Sequence, residues 1–100
     1  MKQLMKVAVV GETMFGTSAN GDWERKQIVF EDLNGEGRKV PVDFFGKKKV
    51  RPLETLQVGT YAEVSFTIDG REHEGRWYPQ LNGISVTPMV RGEVNDSNEN

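Results

Sequence analysis

The residues best equipped for chemistry lie within residues 38–51, RKVPVDFFGKKKVR. Val40, Val42 and Phe44 recur at every second position, so on a strand they share one face, while Lys39, Pro41, Asp43 and Phe45 point the other way. With the first face as core, Phe45 stands outside beside Lys39, just ahead of Gly46 and the run Lys47, Lys48 and Lys49. A flat exposed ring among cations suits a single-stranded nucleic acid, whose bases stack on rings and whose phosphates pair with Lys and Arg.

Other residues extend this pattern. Trp23 lies on the strand face opposite Ile28 and Phe30, and Phe15 lies at the mouth of a loop over residues 16–22. Trp23 and Phe45 are expected to line one groove, each stacked base contributing about 1–3 kcal/mol. Trp77 and Tyr78 are adjacent and so point to opposite faces, one inward and one outward, and the outward ring can stack a base. The phosphate candidates are Arg25, Lys39, Lys47, Lys48, Lys49, Arg51, Arg71 and Arg76. Arg71 and Arg76 flank a loop over residues 69–75 that would clasp a bound strand, although Glu72 and Glu74 share it. Against this stand two ordinary alternatives. A single surface cation is usually only solvated, and an exposed ring equally marks a subunit interface.

Catalysis finds no support. There is no cysteine, and His73 is the only histidine, so an ordinary zinc site lacks its ligands. Carboxylate pairs such as Asp22/Glu24 and Glu72/Glu74 come without a nucleophile or a Gly-rich phosphate loop. The expectation is a non-enzyme with no metal or cofactor. The net charge of −2 argues against a nucleic-acid partner. Setting aside Arg91 and the three acids of the last ten residues leaves twelve charges of each sign, so binding would require cations sorted to one side. The N-terminal apolar run is too short for a signal peptide, and no stretch approaches a membrane span of about 18 residues. Both features lead to the expectation of a soluble cytoplasmic protein.

The elements that must position these residues are short strands. Residues 6–15 open with the continuous apolar run Val7–Val10, as in a strand shared between two sheets. Residues 16–22 are turn-rich and predict a mobile loop; residues 23–31 and 38–45 predict the second and third strands around a turn at residues 32–37. Val50, Leu53 and Leu56, with Pro52, space like a short helix, which Gly59 ends. Residues 61–69 alternate strictly, placing Ala62, Val64, Phe66 and Ile68 inward. Residues 76–88 form the last strand, with Ile84 and Val86 inward and a change of parity allowed at Asn82-Gly83. Residues 91–100 predict an acidic disordered tail beyond a single domain over residues 1–90. Three strands, a helical connector and two strands is the order of an all-β, five-stranded OB-fold, a Greek-key barrel.

Particular motifs also carry a resemblance. Phe45-Gly46-Lys47 closing a strand, then a leucine-bearing connector, then Val58-Gly59 opening the next strand, resembles bacterial single-stranded-DNA-binding proteins. The segment REHEGRWYPQL, residues 71–81, looks like the "REYNGRWY" type of segment in a family of short OB-fold chains of uncharacterised function, which Gly16-Thr17-Ser18, Gly21 and Trp23 also match. The resemblance spans residues 6–88. It implies a non-enzymatic OB-fold that binds single-stranded nucleic acid, often as a homodimer or homotetramer, and the expected ligand is single-stranded DNA bound with little sequence preference. The tail departs from that pattern, ending at Asn100 without a hydrophobic tip. The rival reading is an OB-fold protein–protein adaptor; RNA binding of the cold-shock type ranks lower, because its Gly-Phe-Gly-Phe signature is absent.

Overall fold

A computed structural model describes residues 1–34 and 36–89. The predicted tail over residues 91–100 lies outside the described residues. Six strands form: β1 (Lys2–Val10), β2 (Met14–Ser18), β3 (Gly21–Asp32), β4 (Lys39–Phe45), β5 (Tyr61–His73) and β6 (Arg76–Pro88). Between β4 and β5 the chain makes one helical turn, α1 (Lys47–Val50), and a 3-10 turn (Arg51–Thr55).

The alternation read from the sequence builds the barrel wall. Met5 and Val7 of β1, Ile28 and Phe30 of β3, Val42 and Phe44 of β4, and Ala62, Val64 and Phe66 of β5 form one buried core. Val50, Leu53 and Leu56, one every three residues, close the core from the connector, with Pro52 at the start of its second turn. Fully burying a side chain of this kind contributes roughly 1.5–3 kcal/mol.

The sheet runs β1-β5-β6-β4-β3-β2, and an added β1–β3 pairing closes five strands into a ring. β1 is shared, as its apolar run predicts. It pairs with β5 from Lys2 to Lys6 and with β3 from Met5 to Val10, across an irregularity at Ala8. The remaining closure, β4 to β6, is parallel and consists of the single registered pair Asp43↔Asn82. Antiparallel walls, one parallel closure and a helical connector before β5 make this an OB-fold.

Several expectations need correction. Residues 16–22 are not a mobile loop. Met14–Ser18 is a strand paired to β3, and the hairpin turns tightly between Ser18 and Gly21. The expected loop at residues 69–75 is the end of a long β5–β6 hairpin paired out to His73↔Arg76. This arm outruns the core, so Ile68, expected inward, is 55% exposed. Parity in β6 does shift: Ser65 faces Ser85 and Phe66 faces Gly83, leaving Ile84 as an extra residue. Ile84 is therefore exposed rather than core, whereas Val86 packs against the core as expected. Gly83 turns inward instead, where an added Cβ would lie 2.1 Å from the Phe44 ring. Only glycine leaves room for that ring.

Candidate nucleic-acid interface

The outer face of β3 and β4 carries an aromatic step. The Trp23 and Phe45 rings are stacked, 5.9 Å apart and inclined by 22°. The Arg25 guanidinium lies over the Trp23 ring at 5.8 Å. Register explains the group: Arg25 pairs with Phe45 directly, and Trp23 is the next same-face residue of β3. Gly16 sits opposite Trp23 on β2, and an added Cβ there would lie 2.1 Å from the indole, so the ring lies flat against bare backbone. Phe45 is 59% exposed.

The arm brings a second set of groups to this face. Asp43 adjoins Asn82 through the parallel pair, so the outer face of β4 continues onto the face of β6 that bears Asn82, Gln80 and Tyr78. Arg71 faces Tyr78 across the arm. A cleft of about 640 Å³ results, lined by Arg25, Asp43, Phe45, Lys49, Arg71, Gln80, Asn82 and Gly83. A neighbouring cleft of about 610 Å³ is lined by Gly11, Glu12, Met14, Arg25, Lys26, Gln27 and Asp43. Asp43 and Arg25 belong to both.

The inward residues at this end of β3 are charged. Glu24 and Lys26 are buried, and each has a partner. Lys26 Nζ donates to Thr13 Oγ1 at 3.2 Å. Arg51 donates to both carboxylate oxygens of Glu24, at 2.9 and 3.1 Å. That bidentate hydrogen bond holds the Glu24 carboxyl below its ordinary range, aided by the charges of Arg51 and Lys47 and opposed by burial. It ties the helical connector, and hence Lys47 and Lys49, to the strand that carries Trp23.

The sequence-predicted residues therefore divide. Trp23, Arg25, Phe45, Lys49 and Arg71 come together, with Tyr78 on the same face of the arm. Phe15 stays out of the cleft that holds Phe45 and Arg71: it pairs with Glu24 and lines a separate cleft with Trp23, Lys47 and Arg51. Lys48 is exposed and lines neither main cleft. Lys39 is not beside Phe45. It lies six residues away, roughly 20 Å along the strand, paired with Glu31 at 3.4 Å and donating to the Gly37 carbonyl. Arg76 lies at the arm's tip opposite His73. Trp77 and Tyr78 do point oppositely, but neither is core: both are exposed, Trp77 by 70%, because the arm has no barrel beneath it. Gln27, Asp43, Gln80 and Asn82 were not singled out by sequence reasoning. Asp43 and Gln27 share parity with Phe45 and Trp23, a signal that was available. Gln80 and Asn82 reach the face only through the β4–β6 pair. Among the described residues, no helix is long and apolar enough to cross a membrane, and no group of three His, Cys, Asp or Glu side chains is placed to hold a metal ion.

Comparison with known proteins agrees with this architecture. The small single-stranded DNA-binding protein of Streptomyces coelicolor superposes with a TM-score of 0.51 at 15% identity, covering 90% of this chain and 93% of that one. The likeness is one of fold. No curated relative matches the sequence. A family sequence model described as "Domain of unknown function (DUF3127)" matches residues 4–87, which is nearly all of the described barrel, and the chain belongs to that family.

Proposed function

We propose that this protein binds single-stranded DNA, with little sequence preference along most of the bound strand. The observation that carries this reading is the stack of half-buried Trp23 and exposed Phe45 with Arg25 over it, opening into a cleft that also holds Lys49 and Arg71. Rings set among cations are what bases and phosphates require together. The net charge of −2 is offset locally, because three cations, Arg25, Lys49 and Arg71, line the cleft against one acid, Asp43. The bound strand crosses β3 and β4 and is flanked by Tyr78 and Arg71 of the arm. The fold of the Streptomyces protein, which binds single-stranded DNA by its description, supports the same reading. A cytoplasmic homodimer or homotetramer that protects or organises DNA during replication, recombination or transfer, without catalysing a reaction, completes the proposal.

The test is titration of a fluorescent thymidine oligomer of ~30 nucleotides at low and moderate salt, with duplex DNA as control. Single-strand binding that weakens with salt, and that Phe45→Ala or Trp23→Ala reduces in a folded protein, is the expected result. Binding untouched by both substitutions would remove the stacking surface from the account.

One observation favours a second reading. The reverse face of the arm carries Ile68, Trp77, Pro79 and Leu81 in register, with Trp77 and Ile68 largely exposed. A protein–protein adaptor would use that apolar strip, and its binding would depend little on salt.

A further inference from the structure

Asp43 is out of place on a surface meant only for phosphates. The residue is half-buried and lines both clefts beside the aromatic step. One oxygen, Oδ1, accepts a hydrogen bond from Gln27 Nε2 at 3.3 Å, at the long end of the range. Among the described residues it makes no ion pair, although Arg25 lines both clefts with it, Lys26 one and Lys49 and Arg71 the other. A carboxylate in that position repels a phosphate, so for a strand read only by its backbone it is a liability. It is suited to a partner that presents N–H donors.

Base edges differ in what they offer such a group. The Watson–Crick edge of guanine has two adjacent donors, N1–H and the N2 amino group, beside the acceptor O6. Cytosine and adenine place one donor next to a lone pair, and thymine places its one donor between two carbonyls. Only guanine meets both oxygens of a carboxylate without opposing a lone pair, and its O6 would then face the cations of the same clefts. Unstacked bases of a single strand expose this edge for reading, and the Trp23–Phe45 step lies alongside to hold the base plane.

We infer that Asp43 is a specificity-determining residue, which reads one guanine of a bound single strand through N1–H and the N2 amino group. This rests on the proposed single-strand binding and adds a base preference at one position.

The experiment compares labelled oligomers of ~15 nucleotides: all thymidine, thymidine with one central guanosine, and thymidine with one central inosine, which lacks the N2 amino group. Each is titrated with the wild-type protein and with Asp43→Asn at one low salt concentration, and circular dichroism checks the variant's fold. The wild type should bind the guanosine oligomer about 30-fold more tightly than the all-thymidine one, the middle of the range for a good bidentate base contact. Inosine should forfeit most of that gain. Asp43→Asn should erase the preference and bind all-thymidine more tightly than the wild type, since a carboxylate that repels phosphates has been removed. Equal wild-type affinity for the guanosine and all-thymidine oligomers overturns the inference and leaves the binding proposal standing. A preference that survives in Asp43→Asn overturns the role of Asp43. Failure to bind any oligomer at low salt overturns the binding proposal and the inference together.

Discussion

Gly16→Ala offers a way to disturb the aromatic step without touching any group that would contact DNA. Alanine suits the backbone there, since Gly16 lies in the regular β2–β3 ladder. The new methyl, however, would lie 2.1 Å from the nearest Trp23 ring atom. Carbon atoms pack at about 3.5 Å or more, so ring and strand must separate by about 1.4 Å. Trp23 is only half-buried, covered by the flexible Arg25 side chain and the exposed Phe45 ring rather than by core, so the ring is what moves. Its position over Gly16 is lost, and with it the 5.9 Å stack on Phe45. The fold should lose little. The displaced ring gives up packing on β2, while replacing glycine where the backbone permits returns about 0.4–1 kcal/mol through the unfolded chain. Binding should lose about one stacked base, about 1–3 kcal/mol, or roughly 5- to 150-fold in Kd. The assay is thymidine-oligomer titration alongside a denaturant melt, in a Trp77→Phe background so that emission reports Trp23 alone. An unshifted emission spectrum with Kd within about twofold of the parent's would refute the argument that bare backbone at Gly16 sets the ring. A shifted spectrum with unchanged Kd would refute the argument that the ring stacks a base.

Gly83→Ala meets an aromatic ring at the same distance and should have the opposite outcome. The ring belongs to Phe44, which is fully buried and cannot swing into solvent. Overpacking of this kind costs about 1–3 kcal/mol, so the denaturation midpoint should fall; an unchanged midpoint would show that β6 shifts freely. On the arm, Tyr78→Ala should weaken single-strand binding by about one stacked base, whereas Trp77→Ala on the reverse face should leave it unchanged. Equal losses from the two would mean that the strand wraps the arm. The Glu24–Arg51 pair predicts a pH dependence. The folded-state pKa of Glu24 lies below the ordinary value of 4.5, so the pair's stabilisation is complete above that pH and is lost as the pH falls through the depressed value. Denaturation midpoints should therefore drop in acid, and less steeply in Glu24→Gln; parallel curves for the two proteins would show that this carboxylate contributes nothing to the dependence.

Much of the barrel was legible because its walls are half-buried antiparallel strands, whose period of two appears directly in Val40, Val42, Phe44 and again in Ala62, Val64, Phe66. The connector was legible for a similar reason, since Val50, Leu53 and Leu56 keep one helical face. What escaped lies where burial does not shape the sequence. Residues 14–18 and the arm beyond Ile68 are strands with little core beneath them, so their turn-forming and charged residues resemble loops. Ile84 misled because a bulge changes which face an apolar residue occupies, and an isoleucine carries no mark of the change. In the candidate site, Trp23, Arg25 and Phe45 were foreseeable from parity. The union of Phe45 with Arg71 was not, because it depends on β4 meeting β6, a contact between distant segments that no local pattern encodes. Glu24 and Arg51 are 27 residues apart in sequence and meet for the same reason.

The β4–β6 closure has a mechanical consequence. Elsewhere the barrel is stitched by ladders of backbone hydrogen bonds, but here a single registered pair joins the strands, and the Phe44 ring lodged against Gly83 acts as the key behind it. Dispersion between a ring and a backbone resists separation less steeply than a ladder, so this joint should open first when the barrel breathes. The cleft that holds Phe45 and Asp43 on one bank and Gln80 and Asn82 on the other spans the same joint. A strand of DNA lying in it would suture the barrel's weakest line. Amide protons around positions 43 and 82 should then exchange more slowly on binding, including those the DNA never touches, so that the ligand completes a closure the protein's own backbone leaves nearly undone.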